Sequence, residues 1–96
     1  MVGDGVLHVT VHGRVQGVGF RWFTLETATR LALRGWVRNQ ADGSVEVCAA
    51  GPAAALDALR DALHRGPRGA MVERVQPVVQ EASDAAPTGA FTIRHD

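Results

Sequence analysis

The chain has no lysine and no tyrosine, and its single cysteine is Cys48. One cysteine excludes an internal disulfide and any cysteine-built metal cluster. Ten arginines balance ten acidic residues, so there is no formal net charge. A general nucleic-acid binder needs a basic excess to neutralise phosphates, and none is present. No apolar run approaches the roughly 20 residues that cross a bilayer as a helix. The opening "MVGDGVLHVT" has no basic start leading into an apolar stretch, so no secretory signal is visible. Together these absences lead us to expect a soluble cytoplasmic protein. Arginine standing for every basic residue, with abundant Ala, Val and Gly, fits the codon usage of a GC-rich, bacterial genome.

The 96 residues present suffice for one compact domain, expected to span 1–96, and are too few for two. In "VLHVTVHG" the residues Leu7, Val9 and Val11 alternate with His8, Thr10 and His12, the mark of a half-buried first strand. "FRWFTLETATRLALRG" reads as a helix with Phe20, Thr24, Ala28 and Leu31 near one face and Gly35 at its exit. "GWVRN" is a second strand and "SVEVCAAG" a third, with Val45 and Val47 sharing a face. Between them "QADGS" carries the Asp-Gly hairpin signal. Gly51-Pro52 opens a second helix, Pro suiting the first helical position. Its stripe is Leu56, Leu59 and Leu63, closed by Gly66-Pro67. "MVERVQPVVQEAS" is a fourth strand, where Pro77 implies an edge or a bulge. "DAAPTG" is loop and "AFTIRHD" a short last strand. The order β-α-β-β-α-β plus one strand is the α+β, ferredoxin-like split βαβ pattern. It places two helices on one face of an antiparallel sheet.

One connection stands out. "GRVQGVGFR", Gly13 to Arg21, joins the first strand to the first helix with three glycines and ends on an arginine. Glycines permit tight turns and close approach. An arginine at a helix start meets the positive end of the macrodipole, so it is stable there only with solvent or something negative nearby. No acidic residue lies in the loop. Free N–H groups, positive partial charge and a guanidinium describe an anion site. The stretch lacks the GK[ST] ending of a Walker A loop and the spacing of the dinucleotide fingerprint. A tight turn with a solvated arginine is the plainer reading of the same residues.

Asn39 ends the second strand before the hairpin, where Asn is also ordinary turn chemistry. His8 and His12 share a strand face but stand roughly 13 Å apart at strand rise, too far for one metal. Cys48 reads as a small buried side chain, Asp42 as turn chemistry and Glu26 as solvated. No carboxylate pair suggests acid–base or metal work.

"VHGRVQGVGFR" (Val11 to Arg21) and "GWVRNQADGSVEVCAAG" (Gly35 to Gly51) resemble both signature stretches of the acylphosphatase family, G-x-V-Q-G-V-x-F-R and G-W-V-x-N-x-x-x-G-x-V-x-x-x-x-x-G. The likeness continues through "GPRGAMVERV" to "FTIR". Two departures are visible. Ala32-Leu33 stands where the family often has Gly-Leu, and Gln40 follows Asn39 where some members have Thr.

The resemblance implies hydrolysis of small acyl phosphates to carboxylate and inorganic phosphate, without metal or cofactor. It places phosphoryl binding on Arg21 and orientation of the attacking water on Asn39. The backbone N–H groups of Val15, Gln16, Gly17, Val18, Gly19 and Phe20 would cradle the phosphate. The family also occurs as a module in larger hydrogenase-maturation proteins; this chain is expected to be free-standing and monomeric, with no nucleic-acid or membrane partner. Two rivals share the strand order: a sensor that binds an anion without turnover, and an RNA-binding module. The latter needs exposed aromatics on the first and third strands, and "VLHVTVHG" and "SVEVCAAG" have none.

Overall fold

The computed structural model describes residues 4–79 and 87–95. In chain order the elements are β1 (Asp4–Arg14), α1 (Phe20–Arg30), β2 (Arg34–Asn39), β3 (Val45–Pro52), α2 (Ala53–Arg65), β4 (Met71–Pro77) and β5 (Thr92–Arg94). The five strands form one sheet in the order β4-β1-β3-β2-β5. Neighbours are antiparallel except β2 and β5, which run parallel with Val37 opposite Ile93. This is the ferredoxin-like arrangement the sequence pattern implies, with the short last strand added at the β2 edge.

Period-two alternation on β1 sends Leu7, Val9 and Val11 into the core, where they meet Val45, Val47 and Ala49 from β3. Leu56, Leu59 and Leu63 of α2 and Phe20 and Ala28 of α1 close over them. The α1 stripe differs slightly from expectation. Phe20, Thr24, Thr27 and Ala28 are buried, while Leu31 is half-buried at the C-cap. The two threonines remain inside because each hydroxyl donates to the carbonyl four residues back, Phe20 at 2.9 Å and Phe23 at 2.8 Å.

One burial pattern and two boundaries differ from expectation. β3 is buried along both faces from Val45 to Gly51, and not on the Val45/Val47 face alone. It is the central strand, and the outer side chains of β1 and β2 cover Glu46 and Cys48. Pro52 sits one residue earlier than expected, as the extended N-cap of α2 (ψ 146°) instead of its first helical residue. β3 therefore passes into α2 with no loop. β4 ends at Pro77, which has no N–H to give a ladder, with one further bond from Val78 N–H to the His8 carbonyl (2.9 Å), and it lies on the sheet edge as the proline implied. The remainder of the expected fourth strand beyond Val79 and part of the loop after it lie outside the described residues.

The helix end at Ala32 is a Schellman motif. Leu33 N–H donates to Ala28 (2.9 Å) and Ala32 N–H to Thr29 (3.0 Å). Ala32 takes the left-handed conformation there, φ 57°, which glycine adopts without penalty.

Candidate active site

The site forms at one end of the sheet, where the loop after β1, the start of α1 and the end of β2 converge. Gly17 and Gly19 have φ 76° and 77°. A Cβ added at either would meet no atom within 4 Å. The glycines are therefore required by their left-handed backbone and open onto free space, not onto packed protein. Gly19 is also the N-cap of α1, and no side chain caps that helix. Its first turn holds no acidic residue. The orphan N–H groups and the positive end of the helix dipole thus stay available for an anion.

A cavity of about 90 Å³ is lined by Val15, Gly17, Gly19, Phe20, Arg21, Trp22 and Asn39. Six of the eight residues singled out from the sequence meet here. The other two face elsewhere. Val18 is half-buried and packs against the core. Gln16 turns its side chain away from the cavity. Its amide nitrogen donates to the main-chain carbonyls of Gln40 (2.8 Å) and Ser44 (2.9 Å), so it bridges the glycine loop to the hairpin that carries Asn39.

Arg21 has no carboxylate partner among the described residues. Its Nη1 donates to Nδ1 of His95 at 3.3 Å. An imidazole carries no negative charge to set against the guanidinium. The Asn39 amide makes no hydrogen bond to the described residues, which leaves it free for a water or a ligand oxygen.

The hairpin is held firmly. Gln40 N–H donates to Ser44 (2.9 Å) and Gly43 N–H to Gln40 (3.1 Å). Ser44 donates to Asp42 from both its N–H (2.9 Å) and its hydroxyl (2.5 Å), and these bonds hold the Asp42 carboxyl below its ordinary pKa. On the outer sheet face Glu46 lies 2.6 Å from Nε2 of His8 and accepts from Arg38 (2.7 Å) and Gln40 (3.2 Å). Burial alone would raise the Glu46 pKa, but the bonds from His8 and Arg38 outweigh it and keep the carboxyl below its ordinary value. Arg38 and Arg94 flank the Trp36 ring at 5.3 and 4.7 Å. Arg94 immediately precedes His95, so the same cluster anchors the strand that brings His95 to Arg21.

Sequence reasoning missed Trp22 and His95. Trp22 follows Arg21 directly and could have been found by asking which side the next helical residue faces. His95 is remote in sequence and reaches the site only through the parallel β2–β5 pairing. Among the described residues no group of three His, Cys, Asp or Glu side chains converges as a metal site.

A ferredoxin-like domain with an uncapped helix start, a guanidinium and an unbonded amide around one small cavity is of the α+β class with the features of an anion site. Residues 7–93 match the acylphosphatase family profile. An acylphosphatase of Salinibacter ruber is 55% identical over 75 residues, covering 78% of this chain and 79% of that protein. Among solved structures, an acylphosphatase from Coxiella burnetii has 38% identity and a TM-score of 0.77, covering 95% of this chain and 93% of its own. The acylphosphatase from Bacillus subtilis has 34% identity and a TM-score of 0.79, covering 93% and 97%. The chain belongs to the acylphosphatase family.

Proposed function

We propose that the protein is a metal-independent acylphosphatase, hydrolysing the carboxyl–phosphate bond of small acyl phosphates, with Arg21 and Asn39 as its catalytic residues. The observation that carries this reading is the meeting of Arg21, Asn39 and the uncapped start of α1 around one cavity. Phosphoryl transfer needs chiefly positioning and charge stabilisation. Backbone N–H groups from Val15 to Phe20 cradle the phosphoryl oxygens, and Arg21 holds them with a planar fork. Asn39 orients a water in line with the scissile bond.

Attack by the water oxygen on phosphorus forms one P–O bond. The bond to the acyl oxygen breaks, and its electron pair leaves on the carboxylate. One water proton stays on the new hydroxyl and the other passes to a phosphoryl oxygen, so the products are carboxylate and dihydrogen phosphate. Because a carboxylate is a good leaving group, the step needs no protein acid. This accounts for a site built without Asp, Glu or Cys.

The same reading expects a cytoplasmic monomer that acts on a small molecule and has no nucleic-acid partner. No helix among the described residues is long and apolar enough to cross a membrane. β1 and β3 carry no Phe, Tyr or Trp for base stacking. The test is incubation with benzoyl phosphate and measurement of phosphate release with and without EDTA. Turnover unaffected by the chelator supports the proposal; phosphate binding without turnover identifies an anion sensor instead.

A further inference from the structure

The cavity beside Arg21 and Asn39 is small, about 90 Å³, and opens to solvent. In the proposed reaction the phosphoryl group lies against Arg21 and the attacking water against Asn39. The acyl group then projects towards the open side, where an exposed lining residue can meet it.

Of the lining residues, Val15 and Phe20 are 1% and 2% exposed and offer the mouth little apolar surface. Trp22 is 65% exposed. It has no ring or cation partner among the described residues, whereas the other tryptophan, Trp36, is flanked by Arg38, Arg94 and His8. A large apolar side chain left in water beside a polar cavity is the informative exception to ordinary burial. Folding does not explain its placement, since it covers none of the core.

We infer that Trp22 is a specificity-determining residue whose indole receives the acyl group, so that the enzyme favours acyl phosphates with aromatic or bulky apolar acyl groups over acetyl phosphate. The inference rests on the proposed acylphosphatase reaction. With the phosphoryl group against Arg21, the exposed indole of the next residue stands at the same cavity and supplies an apolar surface for a ring there. Aromatic stacking of this kind contributes beyond simple area burial. An acetyl group is too small to use that surface.

The experiment measures kcat/KM for benzoyl phosphate and acetyl phosphate with the wild type, Trp22→Ala and Trp22→Phe. Comparing variants cancels the different intrinsic reactivities of the two substrates. Trp22→Ala lowers kcat/KM for benzoyl phosphate about three- to tenfold, the scale of one aromatic contact, and leaves acetyl phosphate within twofold. Trp22→Phe restores most of the loss. The inhibition constant for inorganic phosphate stays unchanged in both variants, which separates acyl recognition from damage to the phosphate cradle. A parallel fall for both substrates, or no change for benzoyl phosphate, overturns the inference while leaving the proposed function standing. Failure of the wild type to hydrolyse either substrate overturns the proposed function, and this inference with it.

Discussion

The side-chain amide of Gln16 donates to the main-chain carbonyl of Gln40 across 2.8 Å. The two residues are distant in sequence, yet this bond and its companion to Ser44 tie the glycine loop to the strand end that presents Asn39. The loop proposed to cradle phosphate and the amide proposed to hold the water are thus tied together. Gln16→Ala should lower kcat about tenfold, the effect of roughly 1.4 kcal/mol of lost positioning. Phosphate inhibition should change little. A double-mutant cycle provides the check: if Gln16 acts through Asn39, removing both costs no more than removing Asn39 alone. Additive losses would contradict the positioning role.

Gly17 and Gly19 open onto free space but hold left-handed backbone. A side chain there costs about 1–2 kcal/mol of backbone strain and stands at the cavity. Gly17→Val and Gly19→Val should weaken phosphate inhibition more than they lower the urea midpoint. Unchanged phosphate affinity in folded variants would remove the cradle from the account.

Glu46 makes stability pH-dependent. Its carboxyl sits below the ordinary glutamate value in the folded state. Its contribution is therefore fully present above the unfolded-state pKa and is lost as pH falls through the folded-state value. Glu46→Gln should cost about 1–3 kcal/mol at neutral pH, the range for disturbing a buried hydrogen-bonded group. The gap between variant and wild type should narrow in acid. Urea unfolding across pH measures this, and a constant gap would contradict it.

Ala32 occupies the left-handed C′ position of α1. Ala32→Gly relieves strain of about 1 kcal/mol, offset in part by the greater entropy of an unfolded glycine. The midpoint of thermal unfolding should rise slightly with kcat/KM unchanged. A lowered midpoint would show that the Schellman geometry is unstrained with alanine.

Much of the molecule was legible because local patterns and tertiary demands agree. The alternation of Leu7, Val9 and Val11 specifies both a strand and its buried face. Pro77 announced an edge. Gly17 and Gly19 announced a tight turn, and the resemblance directed attention to Arg21 and Asn39, which meet at one cavity. What escaped was non-local. No spacing rule links Gln16 to Gln40, or Arg21 to His95, because those contacts exist only once β1, β2 and β5 share a sheet. The double-sided burial of β3 was hidden for the same reason: Glu46 looks exposed until His8 and Arg38 cover it. The one-residue shift at Pro52 arises because β3 and α2 abut, so the proline serves strand end and helix cap together.

The central claim is the division of labour between Arg21 and Asn39, and one set of kinetics tests it. The measurement is kcat, KM and the phosphate inhibition constant for Arg21→Ala and Asn39→Ala, with folding checked by circular dichroism. In the proposed mechanism Arg21 contacts the phosphoryl group in substrate and transition state, so its loss should raise KM, weaken phosphate inhibition and lower kcat by about 10²–10³. Lysine should not restore it fully, because a point charge cannot make the two-pronged contact. Asn39→Ala should lower kcat while phosphate still inhibits nearly as well. Wild-type kcat in folded Asn39→Ala, or normal phosphate inhibition in Arg21→Ala, would contradict the account.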